Sequence, residues 1–182
     1  MNKLLVVCGP TATGKTDLAI SLAKKYNGEL VSADSRQIYK GLDIGTGKDL
    51  EKFGDVKILG YDLVDPSESF SVANYATLII PIIQDIQKRG KLPILVGGTG
   101  LYIQAIVDGI ETMNVPTNIR LRKELSVATK DELFEILEKL NAKKALSMNE
   151  SDRQNPRRLI RAIEICKYLL TNKLYETKVK FD

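Results

Sequence analysis

Eight consecutive residues constrain this chain more than any others: Gly9, Pro10, Thr11, Ala12, Thr13, Gly14, Lys15 and Thr16. They match the pattern G-x-x-x-x-G-K-[ST]. A continuous apolar run at 4–8 precedes them and reads as a strand covered on both faces. After them, Leu18, Ala19, Leu22 and Ala23 recur at helical spacing over 15–25. Strand, glycine loop, helix is the context in which this pattern cradles a phosphate chain. Glycines let backbone N–H groups converge on phosphate oxygens, and the helix N-terminus adds partial positive charge. Lys15 supplies a full charge, and the Thr16 hydroxyl can ligate Mg²⁺. By itself the loop says that a phosphate chain is bound, as in nucleotide-binding and ATP-binding proteins; it does not say that ATP is hydrolysed.

The pattern continues as alternating strands and helices. Strands are expected at 29–33, 56–64 and 92–96, and helices at 71–88 and 101–107. Residues 34–48 read as a loop, and Pro81 predicts a kink or an early break in its helix. This alternation predicts an α/β fold, a P-loop NTPase-like parallel sheet flanked by helices. Beyond Gly109 the expected elements are all helical: 119–125, 130–140, 142–146 and 156–170. The expected organisation is a P-loop core over 1–109, a helical insertion over 110–154, and a helix returning to the core over 155–182. Residues 178–182 read as the start of a further strand without its continuation.

Composition narrows the chemistry. The 182 residues carry a formal net charge of +4, which permits a nucleic-acid partner without demonstrating one. There is no histidine, so imidazole-based acid–base and metal chemistry is excluded. The two cysteines, Cys8 and Cys166, read as separate buried thiols of a reducing compartment, not as a disulfide. No signal peptide is evident, and no run approaches the roughly 20 apolar residues of a membrane span. A cytoplasmic location with no membrane partner is expected.

Three further segments could carry chemistry. Asp34, Ser35, Arg36, Gln37, Ile38 and Tyr39 follow a strand's C-terminal end, where open α/β sheets bind ligands. Asp34 there suits a general base or a magnesium holder, and equally a turn former. Gln37 has the donor and acceptor needed to read a nucleobase edge. The segment Gly97-Gly98-Thr99-Gly100 also closes a strand; its Thr99 hydroxyl suits a leaving-group contact or, more plainly, a helix cap. In Asn155-Pro156-Arg157-Arg158-Leu159-Ile160-Arg161, Arg158 and Arg161 share a helix face that suits phosphates. Pairing with Glu164 is the plainer alternative for that face.

In this order, the segments resemble the tRNA dimethylallyltransferase (tRNA isopentenyltransferase) family. The match consists of Gly9 to Thr16; Asp34 to Tyr39 with Gly41, Asp43, Ile44, Gly45 and Thr46; Leu63 to Pro66 with Glu68, Phe70 and Ser71; Pro93 to Tyr102; and Pro156 to Glu164. The resemblance implies transfer of a dimethylallyl group from its diphosphate to N6 of an adenine next to the anticodon of a tRNA, releasing diphosphate. It implies Asp34 and Thr99 as catalytic, the loop 9–16 as leaving-group cradle, and Mg²⁺ as cofactor, held at Thr16. It implies tRNA contacts from Asp34, Ser35, Arg36, Gln37, Arg120, Arg157, Arg158 and Arg161, in a protein expected to be a monomer. Gly60-Tyr61 departs from the basic residue, commonly histidine, that members often carry there. Members also usually continue well past position 182, so tRNA affinity and turnover are expected to be weak or absent in this chain alone. The competing readings are a small-molecule P-loop kinase and prenyl transfer to free adenine nucleotides.

Overall fold

The computed structural model of the chain describes residues 3–48 and 50–172. They divide into two compact units, one ending at Ile110 and the other beginning at Glu111.

Among the described residues the first unit has four parallel strands: β1 (Leu5–Cys8), β2 (Gly28–Ser32), β3 (Ile58–Leu59) and β4 (Leu92–Gly97). Their order in the sheet is β1-β4-β2-β3. Leu30, Val31, Ile94 and Leu95 are wholly buried, as expected of strands covered on both faces. Because side chains alternate across a strand, Leu30, Ile94 and Val96 face one way, where they pack with Ala19, Ile20 and Ala23 of α1 (Lys15–Tyr26). Helix α3 (Val72–Lys88) packs on β2, β4 and the short helix α4 (Gly100–Val107). Between β2 and β3 lie α2 (Asp43–Thr46), within the stretch expected to be loop, and a 3-10 turn, Leu50–Phe53, just beyond it.

The long third strand and the early break at Pro81 are not formed, for local reasons. The strand expected over 56–64 shrinks to Ile58–Leu59, because Gly60 (φ 89°) and Asp62 (φ 54°) take left-handed backbone that cannot continue a ladder. Val64 then bridges to Tyr39 instead. Pro81 does not break α3, which runs unbroken to Lys88. The proline sits on the exposed side, where water can satisfy the freed carbonyl. The opposite side buries Tyr75, Ile79, Ile83 and Ile86, and each such side chain contributes about 1.5–3 kcal/mol. That burial exceeds the roughly 3 kcal/mol cost of an internal proline.

The second unit is helical: α5 (Ile119–Leu125), α6 (Lys130–Leu140), α7 (Ala142–Ser147), α8 (Glu150–Arg153) and α9 (Pro156–Asn172). Asn118, Thr129, Asn141 and Asn149 cap four of these starts with their side chains. Leu121, Leu125, Leu133, Leu137, Leu159 and Ile163 form its core. The helix expected to return to the sheet domain therefore belongs to this unit: α9 lies against α5, α6 and α8, because its apolar stripe matches theirs. The strand expected at 178–182 lies outside the described residues. The cysteines are unpaired, as expected, but only Cys166 is buried; Cys8 closes the edge strand β1 and is exposed. Among the described residues no helix is long and apolar enough to cross a membrane.

Candidate active site

The carboxyl ends of β1, β4 and β2 open onto one cavity of about 530 Å³. Residues 11–17 form one side, Asp34 and Gln37 another, and Gly97 and Gly98 close it below. The geometry of each wall follows from the local sequence.

The loop after β1 turns through Gly9 (φ 152°), Ala12 (φ 62°) and Gly14 (φ 77°), so its amides curl toward the start of α1. Thr13 Oγ1 donates to the Pro10 carbonyl at 2.9 Å and tightens the curl. Lys15 Nζ donates to the same carbonyl and lies 3.5 Å from Thr13 Oγ1, so the ammonium is held across the mouth of the loop. Thr16, half-buried in the first turn of α1, faces the same cavity.

Beyond β2, Asp34 Oδ1 accepts the Arg36 backbone N–H at 2.8 Å, which makes the turn and fixes the carboxylate together. Thr99 occupies the cap position of α4 but makes no side-chain cap bond. Its hydroxyl instead accepts the Ser35 N–H at 2.9 Å and lies 3.3 Å from Ser35 Oγ. Gly97 is required where β4 passes β2: a Cβ there would stand 2.2 Å from the Ala33 carbonyl oxygen. Below Ser32, the Tyr75 hydroxyl donates to the Ser32 carbonyl at 2.7 Å, and its ring stacks on Tyr102 at 3.9 Å. Burial pushes the Tyr102 phenol up to about 12, and the neighbouring Tyr39 and Asp34 add to the shift.

Gln37 is placed in the wall but not as a free base reader. Its Oε1 accepts the Ser32 hydroxyl at 2.9 Å, and its Nε2 donates to the carbonyls of Thr46 (3.3 Å) and Gly47 (3.0 Å). Ser35, Arg36 and Thr99 stand outside the cavity lining. Sequence reasoning missed Ser32, Thr46, Gly47, Lys52, Phe53, Ile58 and Tyr61, which also line it. The glycine-rich run 41–47 was a signal for the first part of that set. The apolar side, with Phe53 edge-on to Tyr61 at 6.2 Å between ring centres, carried no signal in the chain order.

Magnesium bound to a diphosphate takes most of its ligands from phosphate and water and few from protein. Thr16 and Asp34, lining one cavity, suit that small share. Among the described residues no group of three or more acidic or cysteine side chains could hold a metal unaided.

The remaining candidates lie in the helical unit. Arg161 donates to buried Glu164, to the Thr112 carbonyl (3.2 Å) and to the Val115 carbonyl (2.9 Å). Arg122 (2.8 Å) and the Asn118 N–H (2.6 Å) complete the cage around Glu164. Burial works against that carboxylate's charge, but the two guanidinium groups and the Asn118 amide hold it down at about 2. Arg158 pairs with Asp152, Arg120 with Glu124 at 3.0 Å, and Arg157 is exposed.

A parallel sheet, a glycine loop leading into α1 and a carboxylate at the next strand end define a P-loop NTPase-like fold. Comparison with known proteins narrows the class. The family model described as "IPP transferase" matches residues 37–180, and that described as "Isopentenyl transferase" matches residues 2–56. The chain belongs to the IPP transferase family. It is 45% identical over 165 residues to tRNA dimethylallyltransferase 1 of Geotalea uraniireducens, covering 91% of this chain and 54% of that one. With the tRNA dimethylallyltransferase of Anoxybacillus flavithermus it shares 47% identity over 165 residues, covering 90% and 52%. The fold matches the tRNA isopentenylpyrophosphate transferase of Bacillus halodurans at 42% identity and a TM-score of 0.61, over 94% of this chain and 57% of that one. It matches a eukaryotic dimethylallyltransferase, solved acting on tRNA, at 30% identity and a TM-score of 0.80, over 98% and 46%. The chain thus spans about half the length of the curated relatives it matches.

Proposed function

We propose that this chain carries the chemical centre for transferring a dimethylallyl group from dimethylallyl diphosphate to N6 of an adenine next to a tRNA anticodon. One observation carries the proposal: the phosphate-binding loop and the Asp34 carboxylate line the same cavity.

The reaction needs few groups. The adenine N6 attacks the allylic carbon, the carbon–oxygen bond breaks, and its electron pair leaves on diphosphate. Asp34 accepts the proton that N6 gives up. The backbone amides of 9–16 and the Lys15 ammonium take up the charge that develops on the leaving group. Magnesium, if bound, would neutralise part of that charge, and Thr16 is the residue that would hold it. Thr99, whose hydroxyl is bonded to Ser35 next to Asp34 in the chain, would supply the hydroxyl for the bridging oxygen. The adenine must leave its stack to present N6, and the Asp34–Gln37 turn is the wall that would receive it. Arg120, Arg157 and Arg158 are proposed to meet RNA phosphates; Arg161 acts by tying α9 to the Thr112 and Val115 carbonyls.

Single-turnover transfer from labelled dimethylallyl diphosphate to an anticodon stem-loop tests this reading. Asp34→Ala should lose transfer by about two orders of magnitude or more while still binding pyrophosphate. Lys15→Met should weaken pyrophosphate by about a hundredfold. Consumption of ATP with a phosphorylated product, and none of the diphosphate, would establish the kinase reading instead. Equal transfer to free adenosine monophosphate would establish the nucleotide reading.

A further inference from the structure

One charged side chain beside the cavity takes no part in the chemistry above. Lys48 is completely buried. Its ammonium has a full set of three partners: the Tyr39 carbonyl at 2.8 Å, Asp43 Oδ1 at 2.7 Å and Asp62 Oδ1 at 2.6 Å. Those partners sit on three separate stretches: the end of the Asp34–Tyr39 turn, the first residue of α2, and the left-handed residue after β3. Burial opposes the ammonium's charge, but the two carboxylates outweigh it and raise its pKa.

The stretch that Lys48 gathers is also the one that holds Gln37. The Gln37 amide donates to the carbonyls of Thr46 and Gly47, at the end of α2, and accepts from Ser32 at the end of β2. Asp43 is at the other end of the same single-turn helix. Backbone pairing of 38–40 with 62–64 closes the arrangement, through Leu63 N–H to the Ile38 carbonyl (2.7 Å) and Lys40 N–H to the Val64 carbonyl (3.0 Å). A buried ion pair is a poor source of bare stability, since apolar residues of like volume often do as well. It is a good device for fixing one geometry among several, because every alternative leaves a charge unpaired.

We infer that Lys48 is a positioning residue for the active site: by pinning Asp43, Asp62 and Tyr39 it holds α2 where its carbonyls fix Gln37 in the cavity wall. The kinetic consequence rests on the transferase reading above; the geometric one stands without it. Removing the ammonium leaves the Asp43 and Asp62 carboxylates facing each other and drives α2 away from Gln37. Such a shift of a wall that receives the acceptor base costs rate, while the phosphate loop is left as it was.

The test follows the Gln37 side-chain amide in nitrogen-15 spectra of the chain, with pyrophosphate titration and single-turnover transfer alongside. In Lys48→Met the Gln37 amide signal should move and its protons exchange faster. Pyrophosphate affinity should stay within about twofold while transfer falls by about tenfold or more. Asp43→Asn, which keeps the Asp62 contact, should move the same signal by less; it serves also if Lys48→Met does not fold. An unmoved Gln37 signal in the folded variant overturns the inference, as does a loss of pyrophosphate binding in step with transfer. If the unaltered chain shows no transfer, the Gln37 signal alone decides the positioning role.

Discussion

The Thr99 hydroxyl accepts the Ser35 backbone N–H at 2.9 Å, across 64 positions of sequence. This single bond ties the loop after β4 to the turn that carries Asp34. It also explains why Thr99 caps nothing, although it stands at a cap position.

Thr99→Val should therefore act twice. It keeps the shape but leaves the half-buried Ser35 N–H without its acceptor, a cost of about 1–3 kcal/mol. Transfer should fall further than that loss of folded protein explains, whereas Thr99→Ser should retain most of both. Urea midpoints and single-turnover rates measured side by side check this; parallel losses in Thr99→Ser and Thr99→Val would refute it.

Gly97→Ala should be the most damaging small change in the sheet. The added methyl would sit 2.2 Å from the Ala33 carbonyl oxygen and 2.4 Å from its carbon, both rigid backbone. Separating β4 from the end of β2 should cost about 1–3 kcal/mol or more, and it should displace Asp34. A denaturation curve with an unchanged midpoint would show that the strands have slack.

Acid should unfold each unit through one buried carboxylate. Glu29 is held down at about 2, first by its paired bonds to Arg89 (2.6 Å each) and then by Lys91 (2.8 Å), against the opposing effect of burial. Glu164 is held at about 2 by Arg122 and Arg161. A depressed carboxylate stabilises above its unfolded value and loses that contribution as pH falls through its folded one. Stability should thus be flat above about pH 5 and fall between about pH 4 and 2, by on the order of 2–3 kcal/mol per group. Glu29→Gln should lower stability at neutral pH and flatten this slope for the first unit, as followed by urea titration at a series of pH values.

The arginines of α9 should separate into two kinds. Arg161→Ala removes one of the partners of buried Glu164 and should cost about 1.5–3 kcal/mol, seen as loss of helical signal on mild heating. Arg158→Ala breaks an exposed pair with Asp152 and should cost at most about 1 kcal/mol. It should instead weaken stem-loop binding and reduce its salt dependence, read by titration at several salt concentrations.

Much of this was legible in the residue order. The glycine loop, its strand and its helix could be read because their chemistry is local: left-handed turns need glycine, and buried parallel strands need unbroken apolar runs. The Asp34 turn was legible for the same reason. The extent of β3 was not, because whether 56–64 pairs depends on the left-handed backbone at Gly60 and Asp62, which their neighbours in space impose. The bonds of Gln37 were not legible, because an amide's free capacity depends on carbonyls nine and ten residues away. Cys8 was expected inside because its run is apolar; its exposure follows from the place of β1 at the sheet edge.

The sequence by itself determined the class of fold, the phosphate loop and the resemblance that named a reaction, since each depends on short-range pattern. Only the tertiary structure decided that Thr99 serves Ser35, that Arg122 serves Glu164, and that a lysine at the end of the 34–48 loop holds three stretches together. Such pairings join residues with no regular spacing. They arise because burial forces every donor and charge to find a partner, and which partner is near is settled only when the chain has packed.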